Sequence, residues 1–302
     1  MNTLPGIGYA LITAMAWAGS AIINKFLTTR IDILSLNTVR LWVGAVILTA
    51  FIVFTGRMDT LLATPLSRML LIAVAGLISF SIGDTAYIKS LSFIDVSRGF
   101  PIAQCTFPVL TMFVAIFFLN EPFTLVNITG GFLVVGGVYL VVVLGNKVPL
   151  TSKAVKRADA RGVFLALMAA VSWTTGASLL KLGITGIDPF VAAAVRILVS
   201  ALGLTLFVLC RQKETVLQFK QYGFSNIALA AGAGVLSYGV AAVALISAMQ
   251  LIGAGKTVLI TAIAPILILP LSFFILKERP TPITVLGVFI GVIGLVFISC
   301  NR

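Results

Sequence analysis

Ten predominantly apolar runs recur along the chain, at 4–26, 34–55, 68–91, 98–119, 124–145, 160–182, 189–210, 224–250, 255–276 and 282–300. A helix needs about 20 apolar residues to cross the hydrocarbon core, at about 1.5 Å of rise per residue, and each run meets that length. Inside hydrocarbon every backbone N–H and C=O must find a partner within the protein, and none of the runs alternates with the period of two that a membrane strand requires. Helices are therefore expected throughout. The 302 residues are 60% hydrophobic and only 10% charged, with a mean hydropathy of +1.15. That balance excludes a soluble globular domain, a disordered chain and a disulfide scaffold. Ten helices leave no length for a further domain. The first run lacks a positive segment before it and is long enough to span, so it reads as the first helix and not as a cleaved signal.

The net charge of +12, from 21 Lys and Arg against 9 Asp and Glu, would suggest nucleic acid in a soluble protein. Here the basic residues sit mostly in short connections between apolar runs, where they report topology, and no nucleic-acid partner is expected. Six of them, Arg57, Arg68, Lys181, Arg196, Lys256 and Arg302, fall on the side of the N-terminus, the even-numbered connections and the C-terminus; the other fifteen fall on the opposite side. The excess marks the cytoplasmic side and puts both termini outside. Cys105, Cys210 and Cys300 are odd in number and show neither disulfide nor metal spacing, and the chain has no histidine and no Walker motif. Neither a metal nor another cofactor is expected.

The one sizeable polar stretch, Asn146 to Arg161, divides the chain near its middle. A shift of 156 residues superimposes Trp17 on Trp173, Lys25 on Lys181, Asp32 on Asp188 and Arg40 on Arg196. At a shift of 157, Ser90 meets Ser247, Pro108 meets Pro265, Glu121 meets Glu278, Gly130 meets Gly287 and Gly137 meets Gly294. The expected architecture is an all-α integral membrane protein of ten transmembrane helices in two five-helix repeats, 1–145 and 160–302, joined by a basic linker at 146–159. Because five is odd, the second copy starts on the opposite side of the membrane, and the repeats are inverted, an arrangement of transporters with a site near the midplane.

The two repeats, the Trp in each first helix, Pro108 and Pro265 in each fourth helix, and the Leu-Asn-Glu-Pro and Leu-Lys-Glu-Arg endings at Glu121 and Glu278 resemble EamA-type members of the drug/metabolite transporter superfamily. The resemblance covers essentially the whole chain. It implies a ten-helix secondary carrier of small metabolites in the cell membrane, often amino acids and often outward, without ATP or a metal. It also implies termini inside, against the charge count.

A charge at the bilayer centre costs about 2.5–3.5 kcal/mol on insertion scales, so ionisable residues within spans are functional candidates. Asp84 heads them, roughly 10 Å into the third helix from its C-terminal end. Helical spacing puts it on one face with Ser81 and Tyr87, while the second-half counterparts, Gly239 to Val243, carry no charge. Asp84 is expected to bind a substrate ammonium, to carry a coupling proton, or to be held by neighbouring helices. Trp17, Trp173, Tyr87 and Tyr238 are candidate cavity walls, and Gln104, Thr106, Thr257 and Thr261 place polar groups just ahead of helix-bending Pro108 and Pro265. Lys25, Lys181, Arg40, Arg196 and Lys256 are gate candidates or snorkelling anchors, the arginines suited to pairing with Asp32, Asp95 or Asp188. Gly130, Gly131, Gly136 and Gly137 in the fifth helix and Gly287 and Gly291 in the tenth suit close packing, against each other or in a homodimer. Glu121 and Glu278 read as caps of the helices that come after them.

These residues suggest an alternating-access carrier of a small organic metabolite. A lipid-modifying enzyme fits poorly without histidine; a lipid-intermediate flippase or a non-transporting membrane subunit is the alternative on the same scaffold.

Overall fold

The computed structural model describes residues 3–119, 125–144, 153–184, 186–211, 221–252, 257, 260–261 and 263–299. Every regular element among them is helical: α1 (Thr3–Leu27), α2 (Ile33–Phe54), α3 (Met58–Leu62), α4 (Leu66–Gly76), α5 (Asp84–Ser90), α6 (Val96–Leu119), α7 (Leu125–Tyr139), α8 (Lys153–Gly183), α9 (Pro189–Arg211), α10 (Phe224–Gly234), α11 (Ala241–Ile252), α12 (Ala264–Leu276) and α13 (Pro282–Ser299). Three π-helical segments interrupt this order without breaking the rods. Leu77–Gly83 joins α4 to α5, Val235–Val240 joins α10 to α11, and Leu140–Leu144 extends α7.

Six helices are long and apolar enough to cross a membrane: Leu4–Leu27, Ile33–Phe54, Leu66–Ser90, Lys156–Leu180, Pro189–Cys210 and Phe224–Ala248. The other expected runs coincide with α6 and with the shorter apolar helices Thr129–Tyr139, Ala264–Leu276 and Pro282–Phe297. Outward faces stay apolar, with Phe54, Phe132, Phe207, Phe224 and Phe274 all exposed. So much exposed large hydrophobic surface suits a lipid environment.

Packing joins the two halves of the chain helix by helix. α2 lies against α9, and α7 against α13. α1 packs on α10, α11 and α12, and the mirrored contacts bring α8 against α4, α5 and α6. Small residues make these approaches possible. Ala14, Ala18 and Ala21 of α1 and Ala230, Ala233, Ala241, Ala244 and Ala248 across α10 and α11 are all buried. The glycine faces of α7 and α13 meet within the one chain, the first of the two arrangements expected for them. A Cβ on Gly294 would stand 2.6 Å from the Gly130 carbonyl oxygen, and one on Gly287 would stand 2.7 Å from that of Gly137. Gly136, by contrast, faces open space.

The prolines differ in place. Pro108 lies inside α6, whereas Pro265 stands in the first turn of α12, where a missing N–H costs nothing.

Candidate functional site

The two π segments carry the centre of the molecule. A π turn inserts one extra residue, rotating the rest of the helix and freeing a backbone carbonyl, and such turns are common at functional sites. Asp84 is the first residue after the first of them, and it is buried. Its Oδ1 accepts a hydrogen bond from the Trp173 indole N–H at 2.8 Å. Its Oδ2 accepts one from the Tyr238 hydroxyl, which lies in the second π segment. Gly83 is what lets the indole in, because a Cβ there would sit 2.8 Å from Trp173 Cδ1.

Arg40 of α2 completes this arrangement. It is 3% exposed, with Nη2 3.9 Å from Asp84 Oδ2 and 3.1 Å from the Ser237 hydroxyl, to which it donates. Its Nη1 donates to Asn37 Oδ1 at 3.1 Å, and the Asn37 amide donates in turn to the Phe80 carbonyl and to Thr85 Oγ1, each at 2.9 Å. Ser20 of α1 reaches the same cluster, 2.6 Å from Ser237. One carboxylate therefore draws on α2, α5, α8 and the second π segment at once.

Arg196 of α9 repeats the Arg40 geometry against the first π segment. Its guanidinium lies 4.7 Å from the Phe80 ring centre and Nη2 donates to Ser79 at 3.4 Å, while Arg40 lies 5.2 Å from the Tyr238 ring centre. The backbone crossings match as well. Gly76 packs on the Arg196 backbone and Gly234 on the Arg40 backbone, where an added Cβ would stand 2.7 Å from the Arg40 carbonyl oxygen. Ser79 and Phe80 correspond to Ser237 and Tyr238 at a separation of 158 residues, as Gly76 does to Gly234. Tyr238 is thus the partner of Phe80 in the repeat. Tyr87 instead packs its ring against Trp173, 5.7 Å between centres, and its buried hydroxyl has no hydrogen-bond partner.

The family model described as the EamA-like transporter family matches residues 4–143 and again 160–300. The chain belongs to the EamA-like transporter family. Relatives of this EamA-like chain include an "Uncharacterized transporter YoaV" of Bacillus subtilis (strain 168), 28% identical over 123 residues, which is 39% of each protein. They also include an "S-adenosylmethionine uptake transporter" of Rickettsia conorii, 28% identical over 118 residues, 39% of this chain and 38% of that one. The matched stretch therefore spans about two fifths of each relative's length. A solved structure titled "Crystal structure of protein" shares the fold with a TM-score of 0.68, at 15% identity, across 98% of this chain and 97% of that one.

In the EamA-like chain, Asp84, Trp173, Tyr238 and Arg40 come together as described, and Tyr87 adjoins them. Ser81 does not, since the π turn breaks the helical phase and its hydroxyl donates to the Ser200 carbonyl at 3.0 Å. Trp17 is half-buried and packs on the hydrophobic core. Gln104 is half-buried in α6, and Thr257 and Thr261 are buried ahead of α12.

The expected pairing of Arg40 and Arg196 with Asp32, Asp95 or Asp188 is corrected, because both guanidinium groups point inward. Asp32 accepts from Leu34 and Ser35 N–H as the cap of α2, and Asp188 caps α9 while pairing with Arg57.

Lys25 does not snorkel: its ammonium donates to the Leu91 and Ile94 carbonyls at 2.7 and 2.8 Å, closing the end of α5. Glu278 caps α6, not the helix after it, accepting from Val96 and Ser97 N–H at 3.0 and 3.1 Å. The left-handed turn at Lys277, φ 56°, directs it there. Burial and neighbouring Asp95 push the Glu278 carboxyl up from the usual carboxylate range, against the downward pull of those N–H groups. Beside it, Arg98 pairs with Asp159 at 2.6 Å and donates to the Val141 carbonyl at 3.3 Å in the third π segment. Glu121, Lys256 and Cys300 lie outside the described residues, as does the side chain of Lys181.

Sequence reasoning missed Asn37, Ser79, Ser237 and the Arg98–Asp159 pair. The 158-residue correspondence of Ser79-Phe80 with Ser237-Tyr238 was the available signal for two of them.

Proposed function

We propose that this EamA-like protein is a secondary carrier of a small organic metabolite, built of ten spans in two inverted repeats that rock about the Asp84 centre. The observation that carries this reading is the convergence of elements from both halves on one buried carboxylate. Asp84 from the first half is bonded by Trp173 and Tyr238 from the second. A change in how the halves sit must then break or remake those bonds, which is the coupling alternating access requires.

With both oxygens already accepting hydrogen bonds and Arg40 alongside, Asp84 in this reading is the internal hinge of the site, and solute entry competes for its partners. A proton taken up by Asp84 would release them in the same way. The resemblance to efflux carriers and the uptake named for the rickettsial relatives are both compatible with such a mechanism. A carrier without its own energy source runs in whichever direction the gradients set. The proposed location is the cell membrane, with both termini outside as the basic residues indicate.

A counterflow screen tests the proposal. Purified protein in liposomes loaded with pooled metabolites is expected to accumulate labelled members of the same pool, by exchange. Absence of any exchange, with movement of a labelled lipid across the same vesicles, would replace the carrier by a flippase.

A further inference from the structure

The centre holds two arginines and one carboxylate. Arg40 and Asp84 are 3.9 Å apart, and Asp84 has both oxygens engaged by Trp173 and Tyr238. Arg196 has no such partner. Among the described residues no carboxylate lies within ion-pairing distance of it; it has only the Phe80 ring at 4.7 Å and a long bond to Ser79 at 3.4 Å. Its Nε is sealed from solvent and bonded to nothing, while the residue as a whole is half-buried.

An unpaired cation among membrane helices is costly to hold, and a chain that retains one has a use for it. Guanidinium groups favour carboxylate and phosphate, whose paired oxygens match their fork of N–H donors. On the carrier reading proposed above, we infer that Arg196 is the recognition group for the solute. The solute class is a small organic molecule bearing a carboxylate or phosphate, whose negative charge neutralises the centre during passage. Asp84 is then not the first docking point for an ammonium group, because each of its oxygens already accepts a hydrogen bond and Arg40 offsets its charge. Trp173, which bonds Asp84, packs against Tyr87 and Phe107, and Tyr87 against Phe100, an aromatic cluster that supplies an apolar wall for the solute body in this proposal. Arg40, with its own unpartnered Nε, is placed to take over the anion as the halves move, since it occupies the equivalent position in the other half.

Two measurements test this. In the solute-free protein, Arg196→Met is expected to raise the thermal midpoint by about 2–4 °C, because it removes an uncompensated charge. An ordinary structural arginine would show a fall, and a fall or no change overturns the proposal. In the counterflow screen, the pools are carboxylates, phosphate monoesters, neutral solutes and amines without an acidic group. Exchange is expected in the carboxylate or the phosphate pool, with a loss of at least about tenfold in Arg196→Met and a smaller loss in Arg196→Lys. Exchange confined to neutral solutes or amines, or anion exchange in Arg196→Met with unchanged KM, overturns the anion assignment and leaves the carrier intact. No exchange in any pool overturns the carrier reading and this inference with it.

Discussion

Tyr238 shows how one side chain serves two neighbours. Its hydroxyl bonds Asp84 while its ring lies beneath the Arg40 guanidinium, so Tyr238→Phe keeps the ring and removes only the donor. The expected loss is about 1–3 kcal/mol, the range for a buried hydrogen bond to a charged group, read as a lower midpoint in detergent. Glu278 gives a pH prediction of known sign. Its raised carboxyl pKa means that the folded protein holds the proton more tightly than the unfolded chain, so that contribution is favourable below the raised pKa and is lost as pH rises through it. Stability is therefore expected to fall as pH rises above the ordinary Glu value of about 4.3, and Glu278→Gln, which does not titrate, is expected to flatten that slope. Asp84, Trp173 and Tyr238 were each legible in the sequence as polar or amphipathic groups at depth. Their meeting was not, because it depends on the path of α8 across Gly83 and on a helix register that no single segment encodes.

The helices themselves followed from apolar run length, whereas the capping of α2 and α9 by Asp32 and Asp188 became clear only in the structure. The π segments did not. Ser81 was placed on the Asp84 face by α-helical spacing and lies elsewhere because one inserted residue shifts the phase. Glycine positions were legible as a class, but their partners became clear only in three dimensions. Gly136 and Gly137 separate these cases. A Cβ at Gly137 would stand 2.6 Å from the Gly291 backbone nitrogen, and one at Gly136 would meet nothing within 4 Å. Gly137→Ala is expected to cost about 1–3 kcal/mol by forcing α7 from α13. Gly136→Ala is expected to be neutral or to stabilise by up to about 1 kcal/mol through helix propensity. Thermal midpoints of the two variants decide the matter, and equal effects would contradict the packing.

At the scale of the molecule, the repeat seen in the sequence reappears as mirrored contacts: α1 with α10, α11 and α12, and α8 with α4, α5 and α6. What breaks the symmetry is chemical. Asp84 has no charged counterpart in the second half, so of two equivalent arginines only Arg40 stands within ion-pairing distance of a carboxylate among the described residues. A carrier of this design concentrates its asymmetry at the centre and keeps its scaffold doubled. The charge count adds an orientation, and a C-terminal tag is expected to react with an impermeant reagent in intact cells; a protected tag would reverse the assignment. Solute exchange by Asp84→Asn in proteoliposomes, beside wild type at equal insertion, bears most directly on the role given to this centre. Exchange is expected to be lost, or to lose its dependence on a pH gradient, while the variant remains folded in the membrane. Undiminished exchange with unchanged coupling would contradict that role.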